Sequence, residues 1–80
     1  MTQKDREQIA TGRFHIISPI VNRATPLNPG AVSAWFREAT QKTWTHEPYW
    51  QEKRFGWRTL ERWKQQYERM GFDGLMPAIP

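Results

Sequence analysis

Cysteine is absent from this chain of 80 residues. No disulfide and no thiolate metal site can form, so the fold must be held without such staples. The two histidines, His15 and His46, stand far apart and outside any close ligand spacing, so neither a metal site nor a cofactor is expected. No apolar run approaches the roughly 20 residues of a membrane span, and the chain does not open on a basic-then-apolar signal. No membrane partner is therefore expected, and a cytoplasmic location suits the composition. A glycine-rich phosphate loop is also missing, and no nucleophile stands beside a base. Glu52, Glu61 and Glu68 are carboxylates of the type that serve as general bases, yet nothing convergent surrounds them. They read as solvated acids, with no catalytic residue and no enzyme expected in this chain.

Aromatic residues and positive charge are plentiful instead. Five Trp, four Phe and two Tyr offer large side chains to a core that must be small at this length. One fully buried aromatic contributes about 2–3 kcal/mol, so a few can join three helices. The net charge of +4 favours polyanionic partners, or else simple solubility.

Three helical patterns follow one another. The first seven residues are polar and are expected to fray. From about Gln8 to Asn22, Phe14, Ile17 and Val21 make one stripe, widened by Ile9, Ile16 and Ile20. Gly12 costs about 1 kcal/mol inside a helix. Pro19 crowds the His15 carbonyl, predicting a kink or break there. Residues 23–27 read as a loop. Asn28 and Pro29 then suit an N-cap and first helical position, with Val32, Trp35, Phe36 and Ala39 as the buried stripe and an end within residues 40–43. Between 43 and 55 the pattern fits a short hairpin or an irregular loop, with 47–49 at the turn and 53–55 returning.

The third helix is the most informative. Gly56 serves as its N-cap and Gly71 as a left-handed C-cap. Leu60, Trp63, Tyr67 and Met70 recur at spacings of three and four and share one face, while Arg58, Arg62, Gln65 and Arg69 share the opposite one. Phe72 and Leu75 are expected to fold back onto Trp63 or Tyr67. A cylinder with one apolar flank and one cationic flank is what a recognition helix in a DNA groove requires.

The run Phe55-Gly56-Trp57-Arg58-Thr59-Leu60-Glu61-Arg62-Trp63, with Tyr67, Gly71-Phe72-Asp73-Gly74-Leu75 and Pro77, resembles a known family. It is similar to the N-terminal helix-turn-helix domain of bacterial and phage transposases and integrases of the Mu-like, retroviral-integrase-like class. There an Arg-Thr-Leu-x-Arg-Trp helix precedes a Gly-Phe-Asp-Gly-Leu turn. Ile16-Ile17-Ser18-Pro19-Ile20-Val21 is similar to the family's first helix. The likeness spans residues 13–80 and is densest over 55–77; Gly56 and Trp57 depart from the residues usual at those places. The resemblance implies sequence-specific binding of double-stranded DNA at mobile-element ends, with the helix from Trp57 to Met70 in the major groove. It also implies a nucleoid-associated protein, other subunits of the same transposase as further partners, and a metal-dependent catalytic domain beyond this segment.

The expected fold is thus all-α: a three-helix helix-turn-helix domain, homeodomain-like or winged-helix-like, over residues 1–75. A short hairpin or loop joins helices 2 and 3, and a linker starts over 76–80. Arg58 and Arg62 are the leading base or phosphate contacts, while Thr59 either meets a thymine methyl or phosphate or packs at the edge of the core. Gln65 and Arg69 lie nearer backbone, and Lys53 and Arg54, ahead of the helix, are either phosphate clamps or a solvated turn. Arg23 and Lys42 are lesser candidates on loops. Trp57 is either a wedge against DNA or a packed cap over the helix start. The plain alternative for the arginines is an ordinary solvated face. The rival function is a protein-interaction module using exposed tryptophans, Trp44 and Trp50 above all.

Overall fold

A computed structural model describes residues 2–21, 25 and 27–78. Among these the chain forms three α-helices, α1 (Gln3–Ile17), α2 (Pro29–Ala39) and α3 (Trp57–Met70), and one antiparallel hairpin of β1 (Trp44–His46) and β2 (Trp50–Lys53). The fold is therefore mostly helical rather than purely so, and the stretch between α2 and α3 is a hairpin.

The first helix starts earlier than its polar opening residues suggest. Thr2 and Asp5 form a reciprocal capping box: the Thr2 hydroxyl accepts from the Asp5 N–H at 3.1 Å, and the Asp5 carboxylate accepts from the Thr2 N–H at 3.2 Å. Residues 3–7 are thus helical, not frayed. The helix stops at Ile17 and tightens into a 3-10 turn, Ser18–Ile20, as Pro19 requires. The Ser18 hydroxyl donates to the His15 carbonyl at 3.1 Å, in place of the N–H that proline lacks. Residues 22–24 and 26, Asn22 and Arg23 among them, lie outside the described residues.

Asn28 caps α2 through its side-chain oxygen, which accepts from the Ala31 N–H at 2.7 Å, and Pro29 follows as expected. The helix ends at Ala39, whose carbonyl accepts from the Trp44 indole at 3.4 Å and so ties β1 to the end of α2. In the hairpin Trp44 pairs with Lys53 and His46 with Trp50, leaving one extra residue on β2. Glu52, at a φ of 43°, absorbs this bulge, and its N–H donates to the Thr45 hydroxyl at 3.0 Å. The bulge places β2 at 50–53; the returning strand expected at 53–55 is corrected accordingly.

Gly12 has a positive reason to sit inside α1. A Cβ there would meet the His46 ring at 2.6 Å and the Trp50 ring at 2.7 Å. The hairpin crosses α1 at this point. The Tyr49 hydroxyl donates to Asp5 at 2.7 Å, and His46 donates through Nε2 to the Gln8 carbonyl at 2.7 Å. From the hairpin an aromatic relay continues into α3: Trp50 meets Phe55 edge-on at 5.6 Å between centroids, and Phe55 meets Trp63 at 4.8 Å. Ile16, Ile17, Leu60 and Leu75 are the largest fully buried side chains, where α1, α3 and the chain after α3 converge.

Candidate nucleic-acid interface

Helix α3 is oriented by its buried side. Leu60 is inaccessible, Trp63 is buried, and Tyr67 packs half-buried against Phe14 at 5.3 Å. Trp63 also lies under the Arg13 guanidinium, 5.2 Å from its ring centroid. Met70 departs from the expected seam and is 59% exposed. Gly71 ends the helix at a φ of 70°, the positive value expected of a C-cap, but with a ψ of −153° instead of the left-handed helical one. The following 3-10 turn, Gly71–Leu75, then buries Leu75 and leaves Phe72 exposed, so only one of those two side chains folds back.

This turn and the residues just after it are fastened to α1 by two arginines. Arg13 donates through Nη1 to the Leu75 carbonyl at 2.9 Å, and Arg6 donates through Nε to the Pro77 carbonyl at 3.0 Å. Burial holds the Arg13 guanidinium below its usual pKa, and its Nε has no hydrogen-bond partner. Met76 also packs half-buried against the core, so the segment assigned to the start of a linker is held to the domain as far as Pro77; Ile79 and Pro80 lie outside the described residues. No motif marks Arg13 as a contact. Its signal is position: four residues after Ile9 and four before Ile17, it stands within the apolar stripe of α1.

The outward side of α3 is the reverse. Arg58, Arg62, Gln65 and Arg69 are all exposed. At about 100° per residue they fall within an arc of about 60°. None of their side chains bonds to, or stacks on, another described residue. Arg54 is likewise exposed and unpartnered, just before the helix, while Lys53 lies over the Phe55 ring at 5.5 Å. Thr59 is half-buried on the edge between the two faces. On this helix one ion pair forms among the described residues, Lys64 with Glu68 at 3.0 Å, away from the arginine row.

Gly56 caps α3 with extended backbone and no side-chain bond, and its carbonyl accepts from the Leu60 N–H at 3.1 Å. Trp57, next in line, is stacked on Phe36 of α2, with centroids 5.1 Å apart and planes 16° from parallel, yet it remains 41% exposed. One face of this indole is thus packed as a cap over the helix start and the rest is open. Trp44 and Trp50 are corrected in the other direction: both are half-buried and pack against the core rather than standing exposed. Trp35 too is half-buried, meeting Phe36 edge-on at 5.2 Å. Lys42 lies above the Trp44 ring at 6.0 Å.

Among the described residues no three His, Cys, Asp or Glu side chains gather where they could hold a metal ion. No helix there is long and apolar enough to cross a membrane. No family model, curated protein or solved structure matches the chain.

Proposed function

We propose that this domain binds double-stranded DNA in a sequence-specific manner, with α3 as its recognition helix in the major groove. The observation that carries the reading is the unpartnered row of Arg58, Arg62, Gln65 and Arg69 on a helix whose other face is locked into the core. Guanidinium groups in that position bond guanine O6 and N7 or phosphate. Arg54 and Lys53 precede the helix and add phosphate contacts that set register, and Thr59 stands at the groove edge. In this reading α2 and α3 are the two helices of a helix-turn-helix unit, with the hairpin in place of a tight turn and Trp57 joining them through Phe36.

The Arg-Thr-Leu-Glu-Arg-Trp helix and the Gly-Phe-Asp-Gly-Leu turn further support an end-recognition role in a transposase or integrase acting on the nucleoid in the cytoplasm. The domain contributes binding rather than chemistry. The test is a fluorescence-anisotropy titration of duplex DNA at several salt concentrations. With about six phosphate contacts, affinity falls about a thousandfold between about 50 and 200 mM salt. Binding that ignores salt, or none at all, defeats the proposal.

A further inference from the structure

One acidic side chain borders the cationic face. Glu61 is exposed, lies three residues after Arg58 and directly before Arg62, and makes no bond or ion pair with any described residue. On the helical wheel it stands about 60° from Arg58, on the side shared with Gln65 one turn further on. A cation within reach has gone elsewhere. Lys64, at the i+3 position from Glu61, bonds both carboxylate oxygens of Glu68 at 3.0 and 3.1 Å. Glu61 is left as a bare carboxylate among arginines that also remain free.

On a surface facing a duplex, such a group is repelled by every phosphate and lowers affinity for all sequences alike. One feature of the major groove reverses that repulsion. An ionised carboxylate only accepts hydrogen bonds, and cytosine presents an N4 amino donor there. Guanine offers O6 and N7 and thymine offers O4, all of them acceptors that a carboxylate repels. Adenine has an N6 donor, but its N7 acceptor lies beside it. Resting on the DNA-binding reading above, we infer that Glu61 is a specificity-determining residue that accepts from the N4 amino group of a cytosine beside the bases met by Arg58 and Arg62. The face then reads with mixed polarity: arginine for guanine and Glu61 for cytosine. The recognised DNA carries a cytosine at one fixed position.

The experiment is selection of binding sites from a random duplex library with the 80-residue chain and with Glu61→Ala, followed by anisotropy on single-base variants of the selected duplex. Wild type should prefer cytosine at one position by about 5- to 100-fold. Glu61→Ala should lose that preference alone, keep the others, and bind unrelated duplex as well as wild type or better. Because Glu61 is exposed and unpartnered, the variant should fold normally, which circular dichroism checks. If every base preference survives in Glu61→Ala, or all weaken together, the assignment to Glu61 is overturned while the DNA-binding reading stands. If wild type binds no duplex, both are overturned.

Discussion

On α1, the Arg13 guanidinium is half-buried over Trp63 and donates to the Leu75 carbonyl, and Arg6 reaches the Pro77 carbonyl. On α3, Arg58, Arg62 and Arg69 are exposed and bond to nothing described. The residue type is the same and the use is opposite. Net charge counts both sets equally, yet only the second presents its donors at the surface, open to a partner. The difference comes from where each arginine falls against the apolar stripe of its own helix. Arg13 lies within the stripe of α1, so its stem packs and its head must find a carbonyl. The arginines of α3 lie across from Leu60 and Trp63, so they keep their water.

This contrast can be broken by two sets of substitutions with opposite expected outcomes. Replacing Arg58 and Arg62 together with Ala should weaken duplex binding by about a hundredfold or more, at about 1–3 kcal/mol per base contact. Folding stability should stay within about 0.5 kcal/mol, as for other exposed positions. Arg13→Ala should do the reverse. It removes a charged hydrogen bond and a contact with Trp63, so urea unfolding should report a loss of about 2–3 kcal/mol. The affinity of the molecules that remain folded should hardly change. If Arg13→Ala abolished binding while leaving stability intact, the division between structural and free arginines would be wrong.

A smaller effect tests the seat of the hairpin. Gly12→Ala gains about 1 kcal/mol of helix propensity, but its methyl group enters space held by His46 and Trp50. Overpacking of that kind costs about 1–3 kcal/mol, so a net loss of up to about 2 kcal/mol is expected in thermal or urea unfolding. A stabilised variant would show that the hairpin yields freely and does not hold α1 and α3 together.

Much of this was legible from residue order, and the failures have physical reasons. The two faces of α3 and the Asn28-Pro29 start of α2 are local, set by periodicity and capping, and they stand as read. The start of α1 is also encoded, in the Thr2-x-x-Asp5 spacing, but its polar side chains carry no apolar stripe. The hairpin was harder because its register depends on a bulge at Glu52 and on a seat over Gly12, both decided by tertiary contact. Met70 continues the periodic pattern of α3, but the core ends where Leu75 returns to fill it, and no period shows that. The free state of Glu61 depends on which carboxylate Lys64 bonds, and the sequence offers it two. Trp44 and Trp50 are half-buried because the same seat over α1 packs them against the core, a tertiary contact that no local pattern carries.

The mildest test concerns the outer end of the hairpin, where Tyr49 donates to Asp5. That bond, together with the Thr2 N–H and hydroxyl, holds the Asp5 carboxyl below its ordinary 3.8, and it raises the Tyr49 phenol above its ordinary 10.0. A depressed carboxyl stabilises the fold above its unfolded value, and this stability is lost as pH falls through the lower folded value. A raised phenol stabilises the fold below its unfolded value, and this is lost as pH rises through the higher folded one. The pair therefore contributes fully between about 4 and 10 and fades at both ends. Tyr49→Phe should be less stable than wild type near neutrality, and the gap between the two unfolding curves should narrow below pH 4 and above pH 10. Part of the acid dependence should survive in the variant, since Thr2 still holds Asp5 in the capping box. A gap that stays constant across the whole range would mean that the hydroxyl acts by shape alone and that the hairpin is seated by His46 and Trp50 without it.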